Sequence, residues 1–483
     1  MTSRAVVWFR KDLRLGDNPA WAAASEADEV TALFVVDPAI MDAAGPHRQA
    51  QLAAHLRALD GELRDRGGGL CLRRGDPAEV VPGVLAEVGA DALHANADAA
   101  PGGRRRDRRV HRRLSELGRS ASTTSRSEPV PFHTHWGSLV LPPLSVTTKD
   151  DTVSKVFTPF YKRWRDTAWD PWPDQPARGP RTAAPNAQPG PGAGKPLTLP
   201  DLPCAGSEPH HDGGEHAALA RLDAAVQRAD RYRDERDRPD LASTSELSTD
   251  LHYGTLSPRR AAAALGEAGT GGAALVRQLA WRDWYAHLLW AHPALTRQAM
   301  RPEYDTIDWT NDDSEFDAWC AGQTGYPIVD AGMRELTATG WMHNRVRMIV
   351  ASFLVKDLLV DWRWGEAHFR RLLVDGDTTQ NVGNWQWVAG TGPDAAPYFR
   401  IFNPTTQATR FDPQGDYVRR WVPEVAQLPD RWVHRPWEAP EATLAKAGLA
   451  LGRSYPHPLV AHDEARQRTL AVYERARSAG SGS

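Results

Sequence analysis

Three segments of this sequence combine residue types that bind flat, anionic ligands. In the first, i, i+3, i+4, i+7 spacing places four side chains on one face of a predicted helix: Gln278, Trp281, Arg282 and Tyr285. That face offers an amide, an aromatic surface and a cation. Together these groups can stack a base, hydrogen-bond its edge and hold a phosphate. A helix that buries Trp281 in its core explains the same spacing equally well.

The second segment is rich in hydroxyl groups and predicts the start of a helix. Ser243, followed three residues later by Glu246, is a capping-box pattern. Thr244, Ser245 and Ser248 add hydroxyls where free N–H groups and the helix dipole favour an anion such as a diphosphate. A plain capped helix without a ligand explains this segment at least as well.

The third segment is basic and rich in tryptophan. Residues 341–371 hold six Lys or Arg against three Asp or Glu. Asn344 and Met348 share a face of a predicted long helix, and the acidic run 375–377 can pair with Arg347 across a loop. The segment therefore predicts a cationic surface inside a chain whose net charge is only −3.

Composition limits the class of protein. The chain has 483 residues, of which 41% are hydrophobic and 25% charged, as in ordinary globular proteins. No apolar run approaches a membrane span or a secretory signal, and three scattered cysteines predict neither a disulfide framework nor a metal site. We therefore expect a cytoplasmic protein.

Of its 19 Trp, 13 lie from Trp281 onward, and indole rings stack on flat ligands and carry electrons.

The elements that must position these residues fall into two classes. Before residue 130, predicted strands at 5–9, 30–36, 69–74 and 90–96 alternate with predicted helices at 19–27, 47–66 and 78–88. This order indicates a parallel sheet covered by helices on both faces. Residues 171–205 are rich in Pro, Gly and Ala and predict a linker, and the periodicity from 213 to 475 is helical.

Seven motifs, in this order, resemble the photolyase/cryptochrome family over nearly the whole chain. They are WFRKDLR at 8–14, TSELS at 244–248, GYPIVD at 325–330, WMHNR at 341–345, DGD at 375–377, WQW at 385–387 and YFRIFNP at 398–404. The match is strongest to the bacterial cyclobutane pyrimidine dimer photolyases. Each motif is weak alone, but the ordered set is specific.

The resemblance implies an FAD held in the helical domain. Positions around its diphosphate and ribityl chain match Tyr232, Thr244, Ser245, Glu246, Leu247 and Ser248. Positions around the isoalloxazine and adenine match Arg347, Asp375, Gly376 and Asp377, and Asn381 matches the residue that faces flavin N5. An antenna chromophore, deazaflavin or methenyltetrahydrofolate, is a second expectation, although residues 94–101 lack the aromatic side chains usual in the family's antenna domain.

The resemblance also implies DNA containing pyrimidine dimers as the partner, with the damaged dinucleotide flipped into a pocket. Pocket and DNA-contact positions match Gln278, Trp281, Arg282, Tyr285, Asn344, Arg345, Met348, Trp387 and Gln407. An electron-transfer chain from the surface to the flavin matches Trp309, Trp362 and Trp385. The implied reaction is light-driven electron transfer from reduced FAD, which splits the dimer.

Three alternatives stay open at this stage. A cryptochrome-like photosensor is disfavoured because only residues 478–483 follow the matched core. A (6-4) photolyase is disfavoured because that activity is associated with a pair of histidines where this chain has His343 and Asn344. It stays open because Gln278 stands where dimer photolyases usually have Glu. A tryptophan-rich binding module without a cofactor is the third.

The expected organisation follows from the pattern and the resemblance together. We predict an α/β antenna-type domain at 1–130, an interdomain connection and linker at 131–212, and a helical FAD- and DNA-binding catalytic domain at 213–477. We expect a monomer without a membrane-spanning segment.

Overall fold

The computed structural model describes residues 2–120, 129–170, 172, 181–182, 190–202, 206–241 and 243–480. The other residues of the predicted linker 171–205, Cys204 among them, lie outside the described residues. The chain divides into two compact units, which we call unit 1 (residues 1–230 and 245–293) and unit 2 (231–244 and 294–483). These units divide the chain differently from the predicted domains, because residues 245–293 belong to unit 1.

A single twisted sheet forms the centre of the N-terminal part of unit 1. Its strands within the described ranges are β1 Arg4–Phe9, β2 Glu29–Val36, β3 Leu70–Arg74, β4 Ala92–Asn96, β5 Phe132–His135, β6 Arg181–Thr182 and β7 Lys195–Pro196. The order is β5-β4-β1-β2-β3-β7, with β6 beside the start of β2, and all pairs are parallel except β3 with β7. The predicted parallel sheet is confirmed, and its four predicted strands lie within two residues of the observed ones.

Helices cover both faces of this sheet and continue through the rest of unit 1. They are α1 Pro19–Ala24, α2 Pro38–Met41, α3 Pro46–Arg64, α4 Pro77–Val88, α5 Pro101–Ser120, α6 Phe157–Asp166, α7 Glu215–Gln227, α8 Ala229–Glu235 (which runs on into unit 2), α9 Ser248–Tyr253, α10 Pro258–Gly266 and α11 Gly269–Ala291. The central strand β1 sends Val7 and Phe9 into one apolar core and Val6 and Trp8 into the other. Burial on both faces explains why its sequence is apolar without alternation.

Unit 2 is helical, as its periodicity predicted. Its helices are α12 Asp313–Ala321, α13 Pro327–Thr339, α14 Asn344–Ser352, α15 Trp362–Leu372, α16 Thr378–Ala389, α17 Pro404–Phe411, α18 Asp416–Trp421, α19 Asp430–Val433, α20 Glu441–Lys446 and α21 His462–Gly480. A π-helical turn, Phe353–Asp357, extends α14. Among the helices that the structure describes, none combines the length and apolar character needed to cross a membrane.

Part of the Pro/Gly-rich linker packs on the sheet domain. Its strand β7 contains Pro196 and pairs only with β3, at the sheet edge where proline is tolerated. Ala193 is fully buried in the same core as α4. Gly83 of α4 makes this contact possible, since a Cβ at that position would lie 2.4 Å from the backbone nitrogen of Ala193.

Two glycine-to-alanine changes within helices should have opposite effects on stability, because only one of the two glycines lies against backbone. Gly83→Ala should lower the free energy of unfolding by about 1–3 kcal/mol, because its methyl group must displace buried backbone. Gly61→Ala is the matched control, because a Cβ at Gly61 in α3 meets nothing within 4 Å. It should raise stability by about 0.5–1 kcal/mol through helix propensity alone. Urea denaturation followed by circular dichroism measures both, and equal stability of Gly83→Ala and the wild type would contradict the contact.

Candidate functional site

Unit 2 contains an open cavity of about 520 Å³ with a cationic and aromatic lining. The lining residues are Asp237, Arg345, Met348, Trp387, Arg400, Phe402, Gln407, Arg410 and Phe411. Four of them, Arg345, Met348, Trp387 and Gln407, are residues that the resemblance assigned to a DNA pocket. The structure therefore brings together a set that the sequence spreads over more than 60 residues.

Arg345 is held rigidly at the wall of the cavity. Its guanidinium pairs with Asp237 at 2.9 Å and lies 4.5 Å from the centre of the Phe411 ring. Its backbone N–H donates to Nδ1 of His343, the N-cap of α14, at 3.1 Å. Burial lowers the pKa of His343 to about 4, so the imidazole is neutral and can accept this hydrogen bond near pH 7. Asn344, one residue along, contacts the Met348 sulfur at 3.9 Å, which confirms their shared face.

The sequence analysis missed five of the lining residues: Asp237, Arg400, Phe402, Arg410 and Phe411. Arg410 and Phe411 stand at the end of α17, which begins at an N-cap, Asn403, whose side chain accepts from the Thr406 N–H at 3.0 Å. Among the residues that the structure describes, Arg400 and Arg410 have no carboxylate partner. The YFRIFNP motif around Arg400 was the available signal, but nothing in it indicated which side chains face a cavity.

Helix α16 carries three of the predicted site residues and begins at a fourth. Asp377 is its N-cap and accepts from the Thr379 and Gln380 N–H groups at 2.9 and 3.3 Å. Asn381 is buried and donates through Nδ2 to the Glu366 carbonyl at 2.8 Å and to its Oε1 at 2.9 Å. Both amide hydrogens are thereby used, so the Asn381 Oδ1 is left as an acceptor. Burial raises the pKa of the Glu366 carboxyl, while Arg370 and Asn381 oppose that rise.

The predicted pairing of Arg347 with the acidic loop is confirmed. Nη1 and Nη2 of Arg347 each lie 3.0 Å from a carboxylate oxygen of Asp375, a bidentate arrangement. Nε donates to the Met342 carbonyl at 2.8 Å, so three of the five guanidinium N–H groups are engaged. Tyr232, on α8, is partly buried, and this burial raises its pKa.

The three indoles of the predicted electron-transfer chain differ in exposure. Trp385 and Trp362 are buried, whereas Trp309 is half-buried and its ring lies 6.2 Å from that of Tyr473. Helix α15, which Trp362 begins, packs tightly on Trp385, because a Cβ at Gly365 would lie 2.1 Å from the indole. Trp319, which the sequence analysis did not single out, has its ring 6.3 Å from Trp385.

The predicted capping box at Ser243 is wrong. Helix α9 begins at Ser248, with Leu247 as its N-cap and no side-chain capping bond, while the Ser243 hydroxyl donates to the Glu235 carbonyl. Glu246 adopts a φ of 55°, a left-handed conformation that a helix cannot contain, so the helix starts two residues later. Its first N–H groups are thus left without a side-chain acceptor. Within the described residues, the buried Thr249 hydroxyl also has no hydrogen-bond partner.

The predicted face of α11 forms, but some of its groups are already engaged. The ring of Trp281 stacks on Phe157 with centroids 3.8 Å apart, and Tyr285 is buried beside it. Arg282 donates to the backbone carbonyls of Ser138 and Leu251, which ties α11 to two other segments of unit 1. Gln278 is half-buried and donates to the Ala274 carbonyl one turn earlier at 3.4 Å. This face combines packing with the features expected of a binding surface.

The donor sets fit FAD in chemical type. Within unit 2, Arg347 offers hydrogen-bond donors and Asn381 offers an acceptor. A flavin ring has both acceptor and donor atoms along its edge, so it needs both kinds of partner. Within unit 1, the uncapped start of α9 and the hydroxyl of Thr249 suit a phosphate.

Comparisons with known proteins confirm the resemblance found in the sequence. The family model described as DNA photolyase matches residues 5–178, and the FAD binding domain of DNA photolyase matches residues 275–475. The chain is 40% identical to the deoxyribodipyrimidine photo-lyase of Agrobacterium fabrum, with 98% of both chains covered.

Solved structures agree with this assignment. A bacterial class III photolyase from Agrobacterium tumefaciens superposes with a TM-score of 0.88 and 37% identity, covering 99% of this chain and 98% of that one. A cryptochrome from Synechocystis sp. PCC6803 superposes with a TM-score of 0.86 and 29% identity, covering 98% and 99%. With both family models matched and a relative 40% identical over nearly its full length, the chain belongs to the DNA photolyase family.

Proposed function

We propose that this chain is a light-driven DNA repair enzyme that splits cyclobutane pyrimidine dimers. The observation that carries the proposal is the open cavity of unit 2, which three arginines and the Trp387 indole line together. A cyclobutane pyrimidine dimer is a bulky pair of linked bases with carbonyl and N–H groups at its edges and phosphates beside it, and it must leave the duplex to be reached. The cavity offers an aromatic surface for the bases and cations for the phosphates.

Each lining residue has a role that follows from its surroundings. Trp387 and Met348 supply apolar contact, and Gln407 supplies an amide for the base edges. Arg400 and Arg410, without carboxylate partners among the described residues, hold the flanking phosphates. The charge of Arg345 is partly offset by Asp237, so Arg345 acts mainly as a fixed hydrogen-bond donor at the wall of the cavity.

FAD, when bound, supplies the light-driven electron that opens the cyclobutane ring. The residues that would hold its ring are Arg347, Asp375, Asp377 and Asn381, all in unit 2. The Glu366–Asn381 contact fixes the amide of Asn381, so that its oxygen is presented as an acceptor. Trp385, Trp362 and Trp309 would carry electrons inward from the surface.

His343 favours the cyclobutane dimer over the (6-4) photoproduct as the substrate. Its Nδ1 accepts the Arg345 N–H, its side chain is buried, and its pKa is lowered to about 4. A histidine in this setting is neutral and engaged, so it is a poor proton donor to a photoproduct. Asn344, the next residue, does not titrate.

The assay that tests this proposal uses the purified chain with reduced FAD and an oligonucleotide that holds one thymine dimer. We expect dimers to disappear under blue or near-ultraviolet light and to persist in the dark. Repair of a (6-4) photoproduct instead would favour that alternative. Absence of any repair, with equal affinity for damaged and undamaged duplex, would favour the photosensor.

The absorption spectrum distinguishes FAD alone from FAD with deazaflavin or methenyltetrahydrofolate, and gel filtration tests the expected monomer.

The two tryptophans of the WQW motif should separate in function. Trp385→Phe keeps a buried ring but is harder to oxidise, so light should no longer reduce the bound cofactor, while chemically pre-reduced enzyme should still repair dimers near the wild-type rate. Trp387→Ala should leave photoreduction intact and weaken damaged-DNA binding by about 1–3 kcal/mol, the contribution of one base–aromatic stack. Absorption spectroscopy and fluorescence anisotropy measure the two effects. The reverse pattern would mean that the two assignments are exchanged.

Arg400 should contribute to binding through charge alone. Arg400→Gln should weaken binding of dimer-containing DNA and reduce the slope of log K against log salt by about 0.9, the value for one phosphate contact. Arg466→Gln is the matched control, because Arg466 is an exposed arginine on α21 that does not line the cavity. An unchanged slope for Arg400→Gln, or an equal reduction for Arg466→Gln, would contradict a phosphate contact at the cavity.

A further inference from the structure

Two adjacent histidines and a glutamate, all in unit 1, lie close together. His210 and His211 precede α7, and Glu246 lies just before α9. Their ligand atoms all lie within 4.8 Å of one another, and no other such group of three His, Cys, Asp or Glu is found in the described part of the chain. The two imidazole rings are 4.0 Å apart between centroids.

From this geometry we infer that His210, His211 and Glu246 form a binding site for a divalent transition-metal ion of the zinc class. Two imidazole nitrogens and one carboxylate oxygen are a donor set that zinc accepts, with a fourth position left for water. Mg²⁺ and Ca²⁺ prefer oxygen ligands, so the two nitrogens select against them. The sequence predicted no metal site, because these two histidines and the glutamate come together only in the folded chain.

The separation of His211 from Glu246 fits two ligands of one ion better than a direct bond. Nε2 of His211 and Oε2 of Glu246 are 3.6 Å apart, too long for a hydrogen bond. Two ligands at about 2.1 Å from a tetrahedral zinc are about 3.4 Å apart. The Nε2 atom is buried and has no hydrogen-bond partner within the described ranges, so an ion would satisfy it.

The backbone at the histidines is held in place without a metal, whereas the backbone at Glu246 is strained. The buried Gln51 of α3 accepts the His211 N–H at 2.9 Å and donates to its carbonyl at 3.1 Å. Glu246 adopts its left-handed φ of 55°, a strained conformation for a non-glycine residue that calls for a compensating interaction. Coordination of the carboxylate is such an interaction.

One nearby cation is already neutralised. Arg221 of α7 would repel a metal ion, but its guanidinium binds both carboxylate oxygens of the fully buried Asp250, at 2.7 and 2.8 Å. The negative charges that remain beside the histidines are then the carboxylates of Glu246 and Asp212. A bound ion would then join residue 246 to residues 210–211, which are far apart in the chain.

Zinc binding by the full-length, tag-free protein as purified tests this inference. After removal of metal with a chelator, equilibrium dialysis against Zn²⁺ should show one tight site per chain, and excess Mg²⁺ should not displace the ion. His211→Ala and Glu246→Gln should each weaken this site at least about tenfold, the smallest loss typical of outer-shell changes at metal sites. The melting temperature of the wild type should rise with Zn²⁺ and that of both variants should not.

A surface histidine supplies the matched control. His216 lies exposed on α7, five residues from His211, and His216→Ala should bind zinc like the wild type. Glu246→Gln keeps the size of the side chain, and far-ultraviolet circular dichroism shows that each variant is folded. A wild type that binds zinc no more tightly than His211→Ala, or an equal loss in His216→Ala, would overturn the site. Since the readout is metal content, a failure here leaves the repair proposal untouched.

Discussion

Helix α16 has to present side chains to two different environments, and the remaining site geometry depends on how it does so. Successive residues of an α-helix are rotated by about 100°, so Asn381 and Trp385, four apart, lie on nearly the same face. Trp387 is about 200° from Trp385 and therefore faces the opposite way. The structure shows this division, because Asn381 and Trp385 are buried while Trp387 lines the cavity. One helix thus holds both a buried indole and an indole that lines the cavity, two residues apart.

Such a helix is useful only if it cannot rotate or slide. Its start is fixed by Asp377, its first buried turn by the Glu366–Asn381 contact, and its last turn by Gln386. The Gln386 amide donates to the carbonyls of Leu295 and Gln298 at 2.6 and 2.9 Å. Buried amide groups of this kind are costly when unpaired, so each one selects a single position of the helix. Rigid support is what a binding site needs if its geometry is not to be lost to side-chain motion.

The sequence predicted regular elements well and contacts between distant segments poorly. Strand β1 and helix α4 were located within one residue, because continuous apolar runs and helical periodicity are local signals. The capping box at Ser243 failed because Glu246 takes a left-handed φ, which a pattern of residue types does not reveal. The packing of Ala193 on α4 was also missed, since a Pro/Gly-rich composition excludes helices but says nothing about edge strands.

The site shows the same division. Arg347 and Asp375 could be paired in advance because opposite charges stand close to a predicted helix and its following loop. Phe411 and Arg400 could not be placed in the cavity, because their approach to Arg345 depends on the path of the chain after α16. The resemblance supplied the pocket residues Trp387 and Gln407, which composition and periodicity alone would have left among many similar side chains.

Charge is the remaining feature that must be explained, because an acidic chain is proposed to bind a polyanion. The net charge of −3 describes the whole molecule, whereas the cavity proposed to bind DNA is lined by three arginines and one carboxylate. That carboxylate, Asp237, binds the most buried of the three and so fixes Arg345 in one orientation. Charge pairing here fixes the position of Arg345, while Arg400 and Arg410, without carboxylate partners among the described residues, keep their full charge. A cavity with three unpaired cations would attract DNA more strongly, but mutual repulsion would leave its wall without a defined shape.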